Sequence, residues 1–202
     1  SRLLEKAASR TGSSDMNRSL GFSQLGLGQT ELGLSSLEKA YAANPADVRS
    51  GMALATRYVR VGKTEKSLKI AESMVKRDPA NLTVLNFLGS IKGAIGDKAG
   101  ARTVYAQVLA KDPTFGPTVL NLSRLDIGER RFEEARRRLD GLLKVDSNDP
   151  QVLFEYGQLE QRAGRSSEAI RYLVKAGEVQ RIDPNPSLVL IEIYLNQHKG
   201  DQ

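Results

Sequence analysis

Residues 82–115 read LTVLNFLGSIKGAIGDKAGARTVYAQVLAKDPTF, and the same order of residue types returns on both sides at a fixed interval of 34. Small residues stand at Gly33, Ser67, Ala101, Ala135 and Ala169, each 34 positions after the last. A second column, Leu20, Leu54, Leu88, Leu122, Tyr156 and Leu190, is large, and Gly21, Ala55, Gly89, Ser123 and Gly157 follow its first five members directly. Gly28, Gly62, Gly96 and Gly164 make a third column, interrupted by Arg130, and Pro45, Pro79 and Pro113 make a fourth. Four columns in one register mean one supersecondary unit repeated, each copy burying its apolar face on the next.

The residue types say what the unit is. A large residue followed by a small one suits two antiparallel helices, where the large side chain fills the gap and the small one lets the backbones approach. Glycine ends the first helix, here termed helix A, because it takes the left-handed C-cap conformation without a Cβ penalty. Proline ends the second helix, helix B, because it cannot donate the helical hydrogen bond. In the fourth unit Ser147 replaces the proline, and Asp149-Pro150 reads as a cap followed by a first-turn proline.

This pattern, a Leu-Gly pair, a Gly before the turn, a small residue in helix B and a terminal Pro, resembles the tetratricopeptide-repeat family along nearly the whole chain. The resemblance implies an all-α, right-handed superhelix, an α-solenoid. The register places five full repeats at 14–47, 48–81, 82–115, 116–149 and 150–183, with the end of a helix B at 1–13 and the start of a helix A at 184–202. The half repeats read as the cut ends of a longer array, with Leu188–Gln197 as a helix A followed by Lys199-Gly200-Asp201 where a helix B would begin. One departure stands out: the family's large aromatic early in helix A is missing, with Asn17, Gly51, Leu85, Val119 and Leu153 in that column.

Composition narrows the function. The net charge is +6, aromatics make up 5% and cysteine is absent, which removes disulfides and cysteine-based metal sites. His198 is the only histidine and is expected to be solvated. No glycine-rich phosphate loop, metal-ligand spacing or nucleophile with a histidine partner occurs, so no catalytic residue, metal or cofactor is assigned and the chain is read as a non-enzyme. Asp126 and Glu160 occupy equivalent positions and are expected on exposed helix surfaces. No apolar run approaches a membrane span, so membrane attachment would need a lipid anchor outside this sequence.

The expected binding surface is the concave face lined by helix A. Counted helically from the large column, it comprises Arg18, Phe22, Met52, Thr56, Asn86, Ser90, Leu120, Arg124, Phe154 and Gln158, joined by Arg49, Asn121 and Arg162. Apolar members would hold a peptide side chain, and the arginines would pair with acidic groups. The Lys/Asn, Asn, Lys/Arg carboxylate clamp of chaperone-adaptor relatives is not reproduced in any consecutive set of helices A. Arg130, Arg131, Arg136, Arg137 and Arg138 form a basic cluster, expected to fan over a solvated convex face beside Glu133 and Glu134. Nucleic-acid binding would want a continuous basic stripe with stacking aromatics and is disfavoured.

A closer likeness is carried by Leu85-Asn86-Phe87-Leu88-Gly89 and by Phe115-Gly116-Pro117 running into Leu120-Asn121-Leu122-Ser123-Arg124-Leu125-Asp126. These segments resemble the tetratricopeptide lipoprotein of bacterial exosortase (PEP-CTERM) exopolysaccharide clusters. That resemblance implies a periplasmic or envelope-anchored protein of a Gram-negative bacterium, scaffolding exopolysaccharide export or surface-protein sorting; a cytoplasmic location is the alternative. The partner is then a protein or peptide in the concave groove, or an anionic polymer such as an acidic polysaccharide.

Overall fold

A computed structural model describes residues 13–180 and 184–200. Within them the chain forms eleven α-helices and no strand. They are α1 (Ser14–Gly26), α2 (Thr30–Ala43), α3 (Val48–Arg60), α4 (Thr64–Arg77), α5 (Leu82–Ala94), α6 (Lys98–Lys111), α7 (Gly116–Gly128), α8 (Phe132–Val145), α9 (Pro150–Arg162), α10 (Ser166–Val179) and α11 (Asn185–Gly200). The all-α hairpin class expected from the period is what forms. A 13-residue helix, a three-residue turn, a 14-residue helix and a four-residue link fill the interval of 34. The helix B end expected at 1–13 lies, apart from Ser13, outside the described residues, and so does the side chain of His198. The last helix continues to Gly200, through the residues expected to leave helix A.

The helices group into two compact units, divided between Val108 and Leu109 within α6. In each unit, helices adjacent in sequence pack antiparallel around buried columns. Leu34, Leu37, Leu54 and Tyr58 form a core in the first unit; Leu120, Ile127, Ala135, Leu139, Val152, Tyr156 and Leu159 form one in the second. The small column is fully buried, from Ser67 through Ala101 and Ala135 to Ala169. Ser67 hides its hydroxyl by donating to the Ala55 carbonyl at 2.8 Å. Gly51, where the family aromatic is missing, leaves room that Met74 Sδ and Tyr41 fill: a Cβ there would stand 2.7 Å from the sulfur and 3.1 Å from the ring.

Each turn after helix A is closed in the same way. Gly28 donates to the Leu25 carbonyl and Gln29 to the Gln24 carbonyl, the paired bonds of a Schellman cap. The same two bonds recur at Gly62, Gly96, Arg130 and Gly164, all with φ between 61° and 92°. Arg130, the gap in the glycine column, therefore adopts the left-handed conformation despite its Cβ, with φ of 61°. Replacing it by glycine removes that strain, and Arg130→Gly is expected to raise the unfolding free energy by about 1 kcal/mol in a urea titration. A decrease would mean that the arginine side chain contributes more than its backbone costs.

Helix A starts are fixed by side chains where the sequence allows it. Asp47 accepts from the Arg49 and Ser50 amides, Asn81 from Val84, and Asp149 from Gln151 and Val152 with Pro150 following in the first turn. The Asp149-Pro150 substitute for the missing proline works as expected.

Candidate functional site

On α3, Arg49, Met52, Ala53, Thr56 and Arg60 recur at helical spacing and share one face. Phe22, Leu25 and Gly26 of α1 stand opposite, and with Arg57 these residues line an open cavity of about 650 Å³. Four residues expected on the binding face, Phe22, Arg49, Met52 and Thr56, thus come together in the first unit. The floor is apolar and the rim is basic. Phe22 is more than half exposed, an unusual state for so large an apolar ring.

None of the three arginines of this rim has a carboxylate closer than 3.8 Å among the described residues. Arg49 is three-quarters exposed and reaches Asp15 and Asp47 only at 3.8 Å. Arg57 donates from Nη2 to Thr30 Oγ1 at 3.0 Å, while its Nε is buried without a hydrogen-bond partner. Arg60 is exposed and makes no ion pair among the described residues. Arg57 and Arg60 were missed in the sequence, although stepping one turn from Met52 and Thr56 reaches Arg60.

Arg18, also expected on this face, is spent on the fold. Its guanidinium bridges Asp15 and Asp47 at 2.5 Å each and keeps only 13% of its side chain exposed. Burial opposes the Asp47 charge, but the Ser50 hydroxyl, Arg18 and the Arg49 and Ser50 amides outweigh it and hold the carboxyl below its usual range. Asn86 and Ser90 are half-buried, and the Ser90 hydroxyl donates to the Asn86 carbonyl at 3.1 Å. Neither lines the cavity.

In the second unit, Leu120, Asn121 and Arg124 line a smaller hollow of about 350 Å³ with Gly116, Pro117, Asp149 and Gln151. Two of them do structural work there. Leu120 is buried in the core cluster with Ile127 and Val152, because its face of α7 meets α9. Arg124 donates from Nε to Glu155 at 2.6 Å, next to Asn121 at 3.2 Å, so its charge is neutralised by a buried carboxylate. Phe154 packs on the Ala169, Leu173 and Ile193 cluster. Gln158 is half-buried, and Arg162 is exposed at the end of α9.

The basic cluster of α8 is not the solvated face expected. Arg137 is solvated, but Arg136 donates to Glu160 at 3.0 and 3.2 Å and Arg138 to Asp126 at 2.9 Å. Glu160 and Asp126 are in turn buried, at 3% and 1% exposure, not exposed as their helix position suggested. Both sit in the last turn of a helix A where helix B folds back over them, and arginine supplies the compensating charge. Period alone could not show this, because it places a residue on a helix without saying what covers it.

Among the described residues no group of His, Asp or Glu could hold a metal ion, and no helix is long and apolar enough to cross a membrane.

Paired antiparallel helices repeated at this interval define a tetratricopeptide-type fold. Residues 96–153 match the family model for the tetratricopeptide repeat. The chain is 25% identical, over 76% of its length, to the TPR repeat-containing protein YpiA of Bacillus subtilis (strain 168), and 26% identical, over 66%, to Cellulose synthase operon protein C of Pseudomonas fluorescens (strain SBW25). It spans 36% and 12% of those two relatives. Its fold is similar to that of TTC0263, a thermophilic TPR protein of Thermus thermophilus, with a TM-score of 0.72 at 20% identity over 90% of this chain and 99% of that one. Folds of this type are typically non-enzymatic scaffolds for protein or peptide partners, and no catalytic family is indicated by these matches.

Proposed function

We propose that this chain is a non-enzymatic scaffold whose five units, 14–47 to 150–183, present helix A faces to a protein partner of the bacterial envelope. The observation that carries the reading is the groove between α1 and α3, where an exposed Phe22 and Met52 stand beside Arg49, Arg57 and Arg60. A large exposed apolar side chain costs solubility, and a partner that covers it offsets that cost.

The process served is exopolysaccharide assembly or export, or the sorting of surface proteins, in the periplasm or at the envelope of a Gram-negative bacterium. The resemblance to the exosortase-linked tetratricopeptide lipoprotein supports this placement. So does a relative named for a cellulose synthase operon, cellulose being a polysaccharide.

Affinity capture from an envelope extract, with the chain and with its Phe22→Ala/Met52→Ala variant, tests the reading. An exopolysaccharide-export or surface-sorting protein held by the chain and lost with the variant, at equal helicity, is the expected result. Equal recovery with both would remove the groove from the function. Recovery of cytoplasmic proteins alone would remove the envelope assignment.

The second reading is a platform for an anionic polymer, favoured by the clustering of Arg49, Arg57 and Arg60 on one rim. Capture of an acidic polysaccharide that collapses steeply with added salt would support it.

A further inference from the structure

We infer that the groove between α1 and α3 is built for a short acidic segment of a protein, with an apolar anchor seated on Phe22 and Met52 and carboxylates on Arg49 and Arg60, beside the charge of Arg57. The inference rests on the scaffold reading and assigns that site its ligand chemistry. Three features of the groove carry it.

The floor and rim differ in character. Phe22, Leu25, Met52 and Ala53 present apolar surface, and the charged residues lining the cavity are all arginines. A polymer of charge alone would leave Phe22 uncovered; a purely apolar segment would bury guanidinium groups without partners. A segment that combines acidic and apolar residues satisfies both.

The arginines are also differently prepared. Several arginines elsewhere are neutralised by the fold's own carboxylates, among them Arg18 on Asp47, Arg124 on Glu155, Arg136 on Glu160 and Arg138 on Asp126, although Arg77, Arg130 and Arg162 have no such partner among the described residues. On this rim Arg57 has Thr30 as a hydroxyl partner and a buried Nε without one, and Arg60 has no carboxylate among the described residues. The buried Arg57 Nε is out of a ligand's reach, so Arg57 contributes its unneutralised charge, while the exposed guanidinium groups of Arg49 and Arg60 are the ones placed to bond a carboxylate.

Length follows from geometry. Arg49 and Arg60 are eleven residues apart on α3, which is roughly 16 Å along a helix. An extended chain covers that distance in about five residues. The ligand is therefore a short linear segment, read along the helix through its side chains. Because the recognition uses side-chain carboxylates, it does not require a free C-terminus.

Fluorescence anisotropy with the intact chain tests this with the labelled, end-blocked octapeptide DEDLFDED. Three comparison probes are KKKLFKKK, DEDAADED and a short polyuronate of matched charge. Binding of the first peptide alone is expected, weakened roughly tenfold or more by Arg49→Glu/Arg60→Glu and by Phe22→Ala. Arg137→Glu, solvated on α8 and outside the groove, should change it by less than about twofold. No binding of DEDLFDED, or binding untouched by the groove variants, overturns the inference. Equal binding of DEDAADED or of the polyuronate also overturns it, since the apolar anchor would then contribute nothing. Failure here with groove-dependent capture of an envelope protein intact would remove the acidic-segment assignment and leave the scaffold reading standing.

Discussion

Gly157→Val is expected to lower the unfolding free energy by about 3 kcal/mol and the melting temperature by about 6 °C or more. A Cβ at Gly157 would meet Leu173 Cγ at 2.6 Å and Cδ2 at 2.7 Å, with the Ala169 carbonyl 3.4 Å away. Leu173 cannot move aside, because it is fully buried in the cluster with Ala169 and Ile193. The two helices must therefore separate, and the α9–α10 hairpin loses contact along its length. The branched side chain adds a smaller helix-propensity cost. Gly141→Ala is the internal comparison, since a Cβ there has nothing within 4 Å. On the exposed surface of α8 it should stabilise by about 1 kcal/mol. Opposite signs at two helical glycines would show that Gly157 acts through packing. A neutral Gly157→Val would show that α9 and α10 can spread without loss.

Arg136→Ala should cost about 2 kcal/mol near neutral pH, because Glu160 is left with one guanidinium where it had two. Arg165 remains bonded to Glu160, so the carboxylate is weakened and not abandoned. The pH dependence distinguishes this from lost packing. Burial pushes the Glu160 carboxyl above the usual carboxylate value of 4.5, while Arg136 pulls it down. A carboxyl raised in the native state binds its proton more tightly there than in the unfolded chain. Its ionisation therefore costs stability; the cost is absent well below the ordinary value and complete above the native one. Removing Arg136 raises the carboxyl further and enlarges that cost. The deficit of Arg136→Ala, measured by urea unfolding, should be small near about pH 4 and full near about pH 8. Adding Glu160→Gln to the variant should recover part of the loss at the higher pH. A deficit equal at both pH values would assign Arg136 a packing role through its aliphatic stem.

These two sites also divide what could be read in advance from what could not. The 34-residue interval located Gly157 in the column of small residues that directly follows the large one. A residue that must be small in every unit is small because a neighbour stands close, so the packing role follows from the column. Glu160 was misread for the opposite reason. Its column is Gln24, Tyr58, Lys92, Asp126 and Glu160, which has no common size, charge or polarity. With no shared chemistry along the column, nothing signals that the position is covered. The structure shows local solutions instead: Gln24 accepts from Ser36 at 2.7 Å, Tyr58 donates to Glu38 at 2.6 Å, and Asp126 takes Arg138.

The candidate groove was legible in half. Phe22, Arg49, Met52 and Thr56 follow from helical counting. Arg57 and Arg60 required the cavity, because their role depends on which arginines the fold has already neutralised. Arg18 and Arg124 look equivalent to them in sequence and differ in forming close ion pairs, with Asp47 and Glu155.

By itself, then, the sequence determined the hairpin, its length, its turns and its class. Those depend on local conformation and on short-range packing that every unit repeats: a left-handed residue after helix A, proline after helix B, a small residue where helices touch. Only the tertiary structure decided which charges are neutralised inside the fold and which remain for a partner. An ion pair is set by the distance between two side chains on different helices, and no single column contains that distance.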